Sequence, residues 1–316
     1  MQGMQPRIVF MGSPAFALPS LQALAGRYPV VGVVTQPDRP AGRGRSAAPP
    51  PVINLAKALG LRVIQPERLK EESALQQLQS WKPALIVVVA FGQILPPAVL
   101  DLPSRGCLNL HASLLPRWRG AAPVQAAILN GDVVTGVTLL KMDPGVDTGP
   151  LLAQRPLPIL PDDTAGSLAQ RLAELGAALL IESLPAYLDS SLQSQAQDAS
   201  QATYAPMLKK GDGMLNFNLP AEALARRVRA YNPWPGAFFT WQDQPLKVHR
   251  AHFVQAEPAV PGRRTAHASL PAVHTADGLL VLDEVQPAGK RAMTGQAFLL
   301  GARSWTSQES DGLRSA

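Results

Sequence analysis

Short apolar runs bounded by turn residues recur along the first 111 residues: Ile8–Met11, Val30–Val34, Leu85–Ala90 and Leu108–His111. Runs of this length predict strands buried on both faces, as in a parallel sheet. Helical patterns lie between them, over Pro51–Leu59 and over Leu69–Leu78, the latter with Leu69, Leu75 and Leu78 near helical spacing. Strands alternating with helices argue for a doubly wound α/β sheet. Gly136–Lys141 and Leu151–Leu157 flank a turn-rich segment and read as two further strands. Asp163–Leu188 predicts a long helix, capped by Asp163 or Thr164, whose apolar stripe is Leu168, Leu172, Leu175 and Leu179.

The texture then changes. Asp189–Thr203 is polar, small and almost free of apolar side chains, a linker composition. Beyond it a helix is expected around Ala221–Ala230. Strand-like runs follow at Gly236–Trp241, Leu246–Phe253 and Leu279–Val285, separated by Pro/Gly turns, which predicts a small β-barrel. The expected organisation is a first domain over 1–189, a linker over 190–208 and a barrel over 209–316, without internal repeats.

Composition narrows the function classes. The 316 residues are 46% hydrophobic with mean hydropathy near zero, ample for a packed core. A net charge of +6, concentrated in the shorter C-terminal part, weakly favours an anionic partner. The single cysteine, Cys107, excludes an intramolecular disulfide and a cysteine zinc site. The N-terminus lacks a charged-then-apolar signal pattern, and the longest apolar run, Ala84–Phe91, is too short to cross a bilayer. The expectation is a soluble cytoplasmic protein without a membrane anchor, and a monomer, since no coiled-coil pattern is present.

Candidate chemistry concentrates in three places. In the strand C-L-N-L-H, residues two apart share a face, about 7 Å from one another. Cys107, Asn109 and His111 therefore point one way, and Leu108 and Leu110 the other. His111 ends the strand, at the carboxyl edge where open α/β sheets build ligand crevices. A lone histidine is more often structural. This one has a polar neighbour on its own face, and no other histidine precedes residue 249. The second place, Lys141–Leu151, offers Asp143 and Asp147 in a glycine-rich excursion. Both suit an ordinary turn, but either could orient the imidazole and stabilise its charged form if the loop reaches it. The third, T-Q-P-D-R-P-A-G-R-G-R, is either an exposed connection or an adaptable arginine clamp for phosphates.

Several chemistries lack their signatures. Gly12 sits in a strand-to-helix turn without G-x-G-x-x-G or a phosphate-loop lysine, so no nucleotide site is expected. Ser113 has no G-x-S-x-G elbow, and no second histidine or cysteine stands where a metal would need it. A metal-free Asn/His/Asp set remains. It suits acyl-type transfer, in which an amide and a histidine stabilise an oxyanion while the histidine moves a proton.

The chain resembles the folate-dependent formyltransferases, the methionyl-tRNA formyltransferases in particular. N-L-H-A-S-L-L-P-R-W-R-G-A-A-P-V-Q and D-P-G-V-D-T-G match the two catalytic signatures. Further similarity runs through F-M-G-S-P-x-F, Q-P-D-R-P-A-G-R-G-R, V-V-V-A-F-G-Q-I-L-P, Y-N-P-W-P and Q-P-A-G-K-R-A-M, so it spans both domains. The N-x-H…D core is shared with other folate formyltransferases and with 10-formyltetrahydrofolate hydrolases. The arginine loop and basic barrel resemble the tRNA enzymes.

The resemblance implies an α/β fold: a Rossmann-like formyltransferase domain followed by a small OB-like open β-barrel. It implies formyl transfer from 10-formyltetrahydrofolate to the α-amine of methionyl initiator tRNA, with neither metal nor nucleotide. Asn109, His111 and Asp147 correspond to the catalytic residues, which leaves Asp143 outside the set. Asn109 and protonated His111 are then expected to hold the oxyanion, with His111 relaying a proton and Asp147 orienting it. Ser113, Leu114, Leu115 and Pro116 correspond to the folate loop, with Phe91, Gly92, Gln93, Ile94 and Leu95 lining the pterin side. Arg39, Arg43, Arg45, Lys209 and Lys210 correspond to tRNA contacts. Ser46, Ala47 and Ile53 stand where many members carry lysines, so this loop is less basic than usual.

Overall fold

The computed structural model describes residues 5–41 and 46–306, which form two compact units. Unit 1 comprises residues up to Pro123, Val134–Pro158 and Leu168–Pro206. Unit 2 comprises Val124–Val133, Ile159–Ser167 and the chain from Met207. The division differs from the sequence expectation in two ways. Two short insertions within the first 189 residues belong to unit 2. The polar segment after Asp189 is part of unit 1 as far as Pro206.

The sheet of unit 1 is built from β1 (Ile8–Gly12), β2 (Val30–Val34), β5 (Val63–Ile64), β6 (Leu85–Val89), β7 (Cys107–His111), β9 (Val134–Lys141) and β10 (Leu151–Pro158). Between them in the chain, β3 (Arg39–Ala41) and β4 (Ser46–Ala48) form a separate hairpin, and β8 (Arg119–Gly120) lies apart from the main sheet. The order is β10-β9-β7-β6-β1-β2-β5. Strands β5, β2, β1, β6 and β7 run parallel, β9 runs antiparallel to β7, and β10 at the edge runs antiparallel to β9. The carboxyl ends of β1, β2, β6 and β7 therefore share one edge, and His111 closes β7 there. This is the Rossmann-like arrangement expected.

Helices α1 (Leu18–Ala25), α2 (Pro51–Ala58), α3 (Glu72–Trp81), α4 (Pro97–Leu100), α5 (Pro123–Leu129) and α6 (Ala165–Leu188) connect the strands. Val9, Met11, Ile86, Val88 and Cys107 form one buried cluster with Leu78 and Trp81 of α3 and with Phe91, Leu95 and Val99. A Cβ on Gly176 of α6 would overlap the Leu110 side chain, so Leu110 packs on α6 in the opposite layer. The alternation along β7 thus holds. Burial, and secondarily the nearby Asp101, pushes the Cys107 thiol up to about 12.

Helix α3 begins three residues later than the leucine spacing predicts. Leu69 is buried, yet its backbone N–H donates to the Gln93 side chain (3.0 Å) rather than entering a helix. Thr164, not Asp163, caps α6: its Oγ1 accepts from Ser167 N at 3.1 Å, while buried Asp163 accepts from Leu160 N at 2.8 Å. Leu168, Leu172 and Leu179 of the predicted stripe are buried and Leu175 is half-buried.

After β11 (Tyr204–Ala205), unit 2 contains α7 (Ala221–Ala230), β12 (Ala237–Trp241), β13 (Gln244–Val254), β14 (Arg264–His267), β15 (Leu270–His274), β16 (Leu279–Gln286), β17 (Met293–Thr294) and α8 (Gly295–Gly301). The antiparallel path is β12-β13-β16-β15-β14, with β17 on β16. Among the described residues its ends do not pair with each other, so the barrel is open. The hairpin β14–β15 escapes the sequence reading because its turn is Ala268-Ser269, both left-handed, where Asn-Gly is the usual signal.

The core of unit 2 centres on Trp305, which is 1% exposed and packs against Phe239, Trp241 and Phe298 with ring centroids 5.5–6.4 Å away. Trp305→Ala is expected to destabilise unit 2 by about 3–5 kcal/mol, measured by chemical denaturation followed through tryptophan fluorescence.

Candidate active site

The structure brings Asn109, His111 and Asp147 together in unit 1. Asn109 and His111 come from the last residues of β7, one residue apart and on one face. Asp147 comes from the loop between the antiparallel strands β9 and β10. That loop is tied down at its base: Met142 N donates to Cys107 O (2.8 Å) and Lys141 N to Pro150 O (3.0 Å).

The Asp147 carboxylate joins three donors. Oδ1 accepts from Asn109 Nδ2 at 3.0 Å, and Oδ2 accepts from Gly120 N at 2.9 Å. Oδ2 also lies 3.5 Å from His111 Nδ1, an electrostatic contact longer than a normal hydrogen bond. The other ring nitrogen, Nε2, lies 2.9 Å from Trp118 O. A carbonyl can only accept, so Nε2 carries the hydrogen. A hydrogen on Nδ1 would meet the carboxylate. Both nitrogens therefore face acceptors, and the imidazolium form satisfies both.

The two candidate aspartates have separate roles. Asp143 Oδ1 accepts from Gly145 N (3.1 Å) and Thr148 Oγ1 (2.7 Å), so it braces its own exposed loop. Asp147 holds a left-handed backbone, φ 54°, which turns its side chain back towards β7. A crevice of about 10 Å³, the room of one water, lies beside it, lined by Asn109, Leu140, Met142 and Gly145.

Other residues singled out from the sequence are placed less directly. The Ser113 side chain is buried and its hydroxyl donates to Arg117 O at 2.6 Å. Leu115 is buried, with its N–H on Thr138 Oγ1 (3.1 Å) and its carbonyl accepting from Gln154 (2.9 Å). Leu114 and Pro116 remain half-buried. Phe91 and Leu95 are core residues, and Gln93 braces Leu69 and Pro66. Gly92 and Ile94 are exposed, Ile94 by 78%. Any ligand along 91–95 therefore meets backbone and Ile94 rather than the phenyl ring. Ser13, Thr35 and Gln36, at the ends of β1 and β2, fix this segment: Ser13 Oγ and Gln36 Nε2 donate to Phe91 O at 3.3 and 3.1 Å.

Arg39 is exposed and donates to Gln36 (3.2 Å), whereas Arg43 and Arg45 lie outside the described residues. Lys209 and Lys210 are exposed in unit 2. No group of His, Cys, Asp and Glu able to hold a metal is found among the described residues, nor a helix long and apolar enough to cross a membrane.

The sequence reading missed Arg119, Gln197 and Thr203. Buried Arg119 donates twice to Gln197 Oε1, at 3.1 and 2.8 Å. Gln197 Nε2 donates to Asp147 O (2.8 Å) and Gly149 O (2.7 Å). Thr203 Oγ1 accepts from Trp118 N at 2.9 Å.

Two family models match the chain: formyl transferase over residues 7–184, and formyl transferase, C-terminal domain, over 207–303. A methionyl-tRNA formyltransferase of Chloroflexus aggregans is 47% identical over 303 residues, 94% of this chain and 98% of that protein. One of Methylococcus capsulatus is 50% identical over 295 residues, 93% and 96% of the two chains. The chain belongs to the methionyl-tRNA formyltransferase family.

Family membership makes the chain a formyl-group transferase. Solved structures share the fold at lower identity. The sugar 3N-formyl transferase WlaRD superposes with a TM-score of 0.66 at 18% identity, over 92% of this chain and all of that one. HypX from Aquifex aeolicus, in complex with tetrahydrofolic acid, does so with 0.62 at 17%, over 95% and 48%.

The loop geometry yields a test. A Cβ on Gly149 would overlap the Lys141 carbonyl oxygen, a backbone atom that cannot yield. Gly149→Ala is expected to displace Asp147 and lower the formyl-transfer rate about 10²-fold, the scale of a 1 Å misplacement. Single-turnover kinetics would show it.

Proposed function

We propose that the chain transfers the formyl group of 10-formyltetrahydrofolate to the α-amine of the methionine esterified to initiator tRNA. The product, N-formylmethionyl-tRNA, serves translation initiation. The observation that carries this reading is relatedness over both domains, at 47–50% identity, to proteins that perform it. The folate bound by the HypX neighbour supports a folate donor. The reaction belongs to the cytoplasm, and the chain acts as a monomer.

The residues divide the work as follows. The amine attacks the formyl carbon and the carbonyl oxygen gains charge. Asn109 keeps one amide hydrogen beyond the one given to Asp147, and this hydrogen stabilises the oxyanion. His111 contributes through Nε2–H, which must be shared with, or turned from, the Trp118 carbonyl to reach the intermediate. As the carbon–nitrogen bond to folate breaks, the same ring passes a proton to the departing nitrogen and takes up the one that the attacking amine loses. Asp147 stabilises the ring in its charged form, before it gives up that proton and after it regains one. Leu114, Pro116 and the exposed edge of 91–95 shape the folate side. Arg39, Arg43, Arg45, Lys209 and Lys210 meet the tRNA backbone.

Asn109→Ala, His111→Ala and Asp147→Ala are each expected to lower kcat for methionyl-tRNA formylation by about 10²–10³-fold. Near-wild-type rates in all three would remove the assignment. Turnover without tRNA would instead favour a sugar formyltransferase or a formyl-folate hydrolase. Arg43→Ala is expected to raise KM for the tRNA more than KM for the folate, and an equal rise in both would place the loop at the active site instead.

A further inference from the structure

Residues 195–205 fold back over the catalytic loop instead of hanging free. Gln195 exchanges two backbone hydrogen bonds with Leu151 (2.7 and 2.8 Å), just past that loop. Among the described residues of 193–201, Gln197 alone is not exposed. Its amide crosslinks Asp147 O and Gly149 O on one side to the buried Arg119 on the other. Thr203 then grips the opposite wall of the site. Its Oγ1 accepts from Trp118 N (2.9 Å), its carbonyl from Arg119 N (2.8 Å), and its N–H donates to Pro116 O (3.3 Å). Finally β11 pairs parallel with β8, and Ala205 O accepts from Ala121 N at 2.9 Å. Gly120 has φ 109°, and a Cβ there would lie 2.8 Å from Ala205 O, so this approach requires glycine.

The two groups that face His111 are Trp118 O and the Asp147 carboxylate. Trp118 is held by Thr203, and Asp147 by Gln197 and by Gly120 N, itself packed on Ala205. We infer that residues 195–205 are a strap that sets the position of both acceptors of the His111 ring, with Gln197 and Thr203 as positioning residues for formyl transfer. This rests on the functional reading above for the reaction it serves.

The test uses the full-length chain carrying Gln197→Ala, Gln197→Glu, Thr203→Val or Thr203→Ser. Gln197→Glu keeps an acceptor for Arg119 but places oxygen against two carbonyls, so it isolates the amide donors. The Ala, Glu and Val variants are expected to lose about 10–100-fold in kcat, with both KM values within about twofold. Unfolding midpoints should stay close to wild type. Thr203→Ser, which keeps the hydroxyl, should restore kcat to within about twofold. A separate readout is the 15N shift of the His111 ring, assigned by its loss in His111→Gln. It should move in Gln197→Ala while the other four histidines stay fixed.

Wild-type kcat in Gln197→Ala, a defect confined to KM, or an unmoved ring signal would overturn the strap. So would a Thr203→Ser variant as impaired as Thr203→Val. A wild-type chain that formylates no aminoacyl-tRNA would defeat the functional reading alone, and the ring signal would still decide the strap.

Discussion

A carboxylate removed from water has to be met by hydrogen-bond donors or opposite charge, because its desolvation costs several kcal/mol otherwise. Asp147 is 13% exposed, and the donors that meet it come from different parts of unit 1: Asn109 from the central strand, Gly120 from the turn after it, and the imidazole of His111. Satisfying this one side chain ties strand, loop and turn into a fixed arrangement. The left-handed backbone of Asp147 and the close approach that makes residue 149 a glycine are local strains the arrangement carries.

The sheet supplies the rest by topology. Five parallel strands bring their carboxyl ends to one edge, and the strand order reverses between β1 and β6, where open α/β sheets build their ligand crevices. The antiparallel pair β9–β10 supplies the aspartate: Lys141 at the end of β9 pairs with Leu108 near the start of β7, and the loop that follows turns back along the face of β7, so that Asp147 reaches Asn109 and His111. Leu110 fixes β7 against α6 on one face, so Asn109 and His111 on the other are presented without freedom to slip register.

How much of this is legible in the sequence depends on the physical origin of each feature. Burial on both faces writes itself as apolar runs, so the strands of the main sheet are readable. The pairing of Asn109 with His111 is readable because a strand has period two. Choosing Asp147 over Asp143 takes the motif, since both lie in the same glycine-rich loop and only backbone geometry separates them. Leu69 misleads because burial and helix are different properties: its side chain packs in the cluster beneath α3 while its backbone N–H bonds to Gln93 outside the helix. The role of Gln197 leaves no trace, because its amide donates to backbone carbonyls, which have no residue-type signature, its side-chain partner Arg119 is distant in the chain, and it stands among Ser, Gln and Asp. A polar, small-residue composition describes a solvated segment equally well whether it wanders or is pinned at two points.

Cys107 begins the strand that ends in His111, and its side chain lies in the layer packed beneath α3. It is the sole sulfhydryl of the chain, 1% exposed and held in its unreactive protonated form by burial. Alkylating reagents therefore find nothing to modify on the intact fold. Their rate of uptake measures how often the interior behind the catalytic strand opens, a native clock that no introduced label is needed to read.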